Sequence, residues 1–75
     1  MLTGEDVKTA RTLLGWPQSQ LARELSVNAT TIKDYERGKR RISALEMSVL
    51  RRVLETAGIE FTNGGEPRLK MAESK

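Results

Sequence analysis

Seventy-five residues with no cysteine, no histidine and one each of Trp, Tyr and Phe exclude most of enzymology before any motif is read. Chains below about 80 residues rarely hold more than one core, and without Cys or His there is no zinc finger, thiol nucleophile, triad base or imidazole ligand. The net charge of +3 is uneven: residues 1–32 balance to zero, residues 33–52 carry +4 and residues 53–75 carry −1, densest at Arg37-Gly38-Lys39-Arg40-Arg41. Such a loop is an electrostatic footprint for a polyanion.

Thr3 is placed to cap a first helix, with Glu5 and Asp6 at the positive end of its dipole. Val7, Ala10 and Leu14 follow at helical spacing, Leu13 widens the stripe, and Gly15 supplies a left-handed stop. Trp16-Pro17 packs the junction and starts a second, short helix whose inward face is Leu21, Ala22 and Leu25. Ser26-Val27-Asn28 is a turn. Asn28 is expected to cap a third helix that runs through Ile32 and Tyr35 and stops at Gly38. Two apolar residues in that helix make a thin stripe, so most of its surface must face something other than the core.

Ser43-Ala44-Leu45-Glu46 is a capping box that launches a longer helix, with apolar residues at Leu45, Val49-Leu50, Val53-Leu54 and Ala57 and a stop at Gly58. Arg51 and Arg52 are expected to face solvent or pair with Glu55. The pattern then changes period. Ile59-Glu60-Phe61-Thr62 and Arg68-Leu69-Lys70-Met71 alternate around the turn signal Asn63-Gly64-Gly65, which predicts a β-hairpin with a loop of three to five residues. Residues 72–75 are expected to be disordered.

The second and third helices have the spacing of a helix-turn-helix, two short helices at a steep angle joined by a tight turn. Ala22 sits at their close crossing, Val27 plugs the turn, and Ile32 with Tyr35 anchors the third helix. The outer face of that helix is left free to enter a major groove.

Gln18-Ser19-Gln20-Leu21-Ala22, Val27-Asn28-Ala29-Thr30-Thr31-Ile32 and Tyr35-Glu36-Arg37-Gly38 together resemble the phage repressor and Cro family, also called the xenobiotic-response-element family. The resemblance covers roughly residues 4–58, and the tail from Ala57 to Gly64 is similar to the strand-forming end of small bacterial regulators of this type. It implies an all-α, compact four- to five-helix repressor-like domain over residues 1–58, with the helix-turn-helix at 18–37 and a short C-terminal β-hairpin at 59–71. It further implies that Ala29, Thr30, Lys33 and Asp34 face base edges. Gln18, Asn28, Thr31, Arg37, Lys39 and Arg40 would lie near the sugar-phosphate backbone, with Gln18 also bracing the start of the recognition helix. Glu36 matches an acidic residue that serves structure by pairing with a basic neighbour. Lys33 is suited to donate to guanine O6/N7 and Asp34 to accept from cytosine N4. Three positions depart from the family pattern: Ser26 replaces a usual glycine, Pro17 a usual Ser or Thr cap, and Ala29 a frequent amide side chain.

The expectation is therefore a transcriptional regulator, a repressor, that binds double-stranded DNA at a palindromic operator as a homodimer. Ile59, Phe61, Leu69 and Met71 on the hairpin are the expected dimer interface. The competing reading is a protein-interaction module on the same fold, an antitoxin or antiactivator, but neither role needs the basic cluster beside an outward polar helix. No enzyme activity, cofactor, metal or small-molecule ligand is expected. The acidic start is unlike a signal peptide and no run of about 18 apolar residues occurs, so a soluble, cytoplasmic chain without a membrane partner is expected.

Overall fold

The computed structural model of the chain describes residues 2–61 and 66–69. Among these, four helices run in chain order: α1 (Gly4–Leu14), α2 (Gln18–Leu25), α3 (Ala29–Arg37) and α4 (Ala44–Ala57). Two short strands follow, β1 (Ile59–Glu60) and β2 (Arg68–Leu69).

The helix ends lie where their capping chemistry predicts. Thr3 and Asp6 form a reciprocal capping box at the start of α1, and Ser43 and Glu46 form another at the start of α4. Gly15, Gly38 and Gly58 all adopt left-handed conformations just past their helices. At the end of α2 that position is Ser26, with φ of 59°, the sole non-glycine with positive φ among the described residues. A side chain there crowds the following carbonyl, so the turn is held under strain by its hydrogen bonds to Ala22 and Arg23 carbonyls. Asn28 departs from expectation: its backbone is extended as a cap requires, but its side chain makes no capping hydrogen bond.

One core joins all four helices and the first strand. Val7, Ala10, Leu21, Ala22, Ile32, Tyr35, Leu50, Leu54 and Ile59 are buried in it. Leu14, Trp16, Leu25 and Val53 pack at its margin. Ala22 is buried, whereas Val27 is 38% exposed and does not plug the turn. On α4 the apolar residues divide: Leu50 and Leu54 face the core, while Leu45 is 75% exposed and Val49 is also exposed. Apolar residues five and nine positions apart cannot all share one narrow face at 100° per residue.

The strands pair antiparallel, with Ile59 opposite Leu69 and Glu60 opposite Arg68. The hairpin is present as expected, and the turn expected at Asn63-Gly64-Gly65 lies outside the described residues. The hairpin packs on α1 and α4 of its own chain. Ile59 is 1% exposed and belongs to the monomer core, which leaves it no surface for a partner. Phe61 is half-buried against the same core, with the Arg51 guanidinium 5.8 Å from its ring centroid. Leu69 remains exposed; Met71 and residues 72–75 lie outside the described residues. No helix among the described residues is long and apolar enough to cross a membrane.

Candidate nucleic-acid interface

Only Ile32 and Tyr35 of α3 are buried. At 100° per residue Ala29, Thr30, Lys33 and Arg37 fall within an arc of about 100° on the helix, and all four are exposed. Asp34 and Thr31 flank this stripe on its far side and are half-buried. Asn28 stands exposed at its N-terminal end. At the C-terminal end Gly38 turns the chain sharply: the amides of Lys39 and Arg40 bond back to the Asp34 carbonyl at 2.9 and 3.3 Å. That turn brings Lys39, Arg40 and Arg41, all exposed, alongside the last turn of the helix. Of the expected DNA-facing residues, the structure thus groups Ala29, Thr30, Lys33, Arg37, Lys39 and Arg40 on one continuous surface. A face that is largely polar, cationic and exposed suits a polyanion with grooves.

What holds this surface at a fixed angle is a clamp beneath it. Arg11 on α1 donates from Nε to Glu36 Oε2 at 2.7 Å and from Nη2 to Oε1 at 3.0 Å. Its Nη1 reaches the Trp16 carbonyl at 2.8 Å. Gln18 on α2 adds a bond from Nε2 to Glu36 Oε1 at 3.1 Å. The Arg11 and Glu36 side chains are 14% and 5% exposed, so the paired charges sit largely out of water. A bidentate guanidinium–carboxylate pair is both strong and directional, and here it ties α1, α2 and α3 at one point. Glu36 therefore takes the structural part expected of it. Gln18 differs in detail: it braces the last turn of α3 rather than its start. The first turn of α2 stands about 12 Å from the turn that joins the two helices, at 1.5 Å per residue, and so meets the opposite end of α3.

Two contributions were not legible from the sequence. Gly4 lies against the backbone of α3, where a β-carbon would collide with the Tyr35 carbonyl oxygen and crowd Glu36 Cα. Tyr35 is 3% exposed, and the Arg40 guanidinium lies 6.0 Å from its ring centroid. Burial, and then the Glu46 carboxylate, raise the Tyr35 hydroxyl above its ordinary value, with Arg40 opposing. The backbone N–H of Ser43, and then Tyr35, hold Glu46 below the usual carboxylate value. Neither Gly4 nor Tyr35 carries a spacing signal for these roles, because both are tertiary contacts.

A helix-turn-helix family profile matches residues 7–61, which span α1 to α4 and the first strand. The chain belongs to this family, of the phage repressor and Cro type. No curated protein matches the chain significantly. The family is one of DNA-binding regulatory domains rather than enzymes, and the chain is a DNA-binding transcription regulator of that kind. Within the family's matched segment lie both halves of the clamp, Arg11 and Glu36, and the whole exposed face of α3.

Proposed function

We propose that the chain is a sequence-specific repressor that reads a palindromic operator as a homodimer, one α3 per half-site in the major groove. The observation that carries this reading is the exposed face of α3, from Ala29 to Arg37, continuous with Lys39 and Arg40 and clamped from below by Arg11 and Glu36. In this reading Thr30, Lys33 and Asp34 meet base edges and Ala29 approaches a base closely without a hydrogen bond of its own. Asn28, Thr31, Arg37, Lys39 and Arg40 meet the backbone, as does Gln18 through whatever hydrogen-bonding capacity Glu36 leaves free. Repression then follows from occlusion of the bound site.

One helix-turn-helix reads few base pairs, which motivates two copies with their recognition helices about 34–36 Å apart. Two surfaces compete for the contact: Leu69 on the hairpin, with Met71 beyond it, and Leu45 with Val49 on α4. Sedimentation of Leu69→Glu and Leu45→Glu separates them, since the variant that becomes monomeric while remaining folded marks the interface. A monomeric wild-type chain at micromolar concentration contradicts the two-copy reading.

The decisive experiment is a binding-site selection from random duplexes, followed by a salt titration. Lys33→Ala is expected to relax the selected sequence and cost roughly 1–3 kcal/mol, whereas Arg40→Ala weakens all duplexes alike and lowers the salt slope by about one. An unchanged preferred site in Lys33→Ala removes the base-reading assignment. Binding that ignores salt favours the protein-interaction reading instead.

A further inference from the structure

We propose that Tyr35 and Glu46 form a seat that holds the Arg40 guanidinium ready for a phosphate of bound DNA, so that both are positioning residues for binding. The inference rests on the reading that loop 38–41 meets the DNA backbone. Arg40 belongs to an exposed turn and would otherwise sample many rotamers. Instead its guanidinium lies over the Tyr35 ring, 6.0 Å from the centroid, a cation–π arrangement. The ring itself is fixed, because Tyr35 is a core residue of α3. With Gly38, Lys39, Ile42 and Met47 it lines a cleft of about 410 Å³ between the first turn of α1 and the basic loop.

The second side of the seat comes from α4. Glu46 Oε1 accepts the Ser43 backbone N–H at 3.0 Å, which fixes the carboxylate in the first turn of α4. From there the Tyr35 hydroxyl and, least, the Arg40 charge favour its ionised form. Ring and carboxylate thus belong to two helices joined through the core, and the cation they hold belongs to neither. An arginine ordered before contact loses less side-chain freedom on contact, which favours binding.

The seat makes a prediction whose sign separates it from simple charge repulsion. Glu46 is an anion beside the path of a polyanion, so on electrostatics alone Glu46→Gln strengthens DNA binding. As part of a seat, its loss weakens binding. Glutamine keeps the oxygen that the Ser43 amide needs, so the helix cap survives the exchange. The test is fluorescence anisotropy of a labelled random-sequence duplex at low salt, with circular dichroism melts to establish folding. Glu46→Gln is expected to weaken binding roughly three- to tenfold, the size of coupling between neighbouring residues, and to have no effect in an Arg40→Ala background. Tyr35→Phe keeps the ring and the core but loses the hydroxyl; it should weaken binding less, and also only when Arg40 is present. If Glu46→Gln does not fold, Tyr35→Phe carries the test alone. Unchanged or tighter binding, or equal weakening with and without Arg40, overturns the seat. Arg40→Ala distinguishes the two levels: if it weakens binding while the seat variants do not, only the seat fails, and if it too is silent, the backbone role of the loop fails with it.

Discussion

In a helix, exchanging glycine for alanine ordinarily stabilises by about 1 kcal/mol, and at Gly4 the sign should reverse. The added methyl would meet the Tyr35 carbonyl oxygen, a backbone atom that cannot swing aside. Gly4→Ala is therefore expected to lower stability by roughly 1–3 kcal/mol, the usual cost of overpacking, which a urea midpoint would register. A neutral or stabilised Gly4→Ala chain would mean that α1 can slide away from α3 without cost. Glu36 presents the opposite hazard, a partner removed rather than an atom added. Glu36→Ala leaves the Arg11 guanidinium largely buried and unpaired, a loss of about 3–5 kcal/mol. A disulfide-free core of this size yields only about 3–5 kcal/mol in total, so the variant should lose its cooperative melt. Replacing both residues with aliphatic ones should restore much of it, because neither charge then needs compensation.

At the scale of elements, α4 depends on a carboxylate at its start. Its Glu46 is held below the usual carboxylate value chiefly by the Ser43 backbone N–H. A group whose folded value is depressed contributes stability above its unfolded value and loses it as pH falls through the folded value. Acidification from neutral pH to below the ordinary carboxylate range should thus lower the urea midpoint more in the wild-type chain than in Glu46→Gln. Parallel pH profiles would show that the cap does not depend on that charge. The helix boundaries were legible in advance because caps are local: Thr3 with Asp6, Ser43 with Glu46 and the glycines at 15, 38 and 58 act within their own turn. The exposed stripe of α3 was legible for a similar reason, since two apolar residues in nine leave it little else to do. What escaped was the identity of most partners between elements. Gln18 could be read as a bracing residue but not as the partner of Glu36, and Asn28, with the right residue type for a cap, makes no cap bond. Alternation in the hairpin showed that Ile59 and Phe61 share a face; it could not say that the face meets the chain's own α1 and α4.

For the whole molecule, that inward hairpin means the tail completes the core. Ile59→Ala should cost roughly 2–5 kcal/mol, as buried isoleucine truncations do, and leave little or no folded chain in thermal melts. Retained stability would instead return Ile59 to the surface and to a partner. A chain cut after Gly58 should accordingly lose its fold, not merely its partner. The same feature bears on how the protein comes into being. Ribosomes add about 5–20 residues per second from the N-terminus, and α3 is complete at Arg37, about 22 residues before Ile59. Some 1–4 s of synthesis therefore separate the making of the recognition helix from the arrival of the residue that closes the core beneath it. The surface proposed to read DNA is made early and takes its fixed shape late.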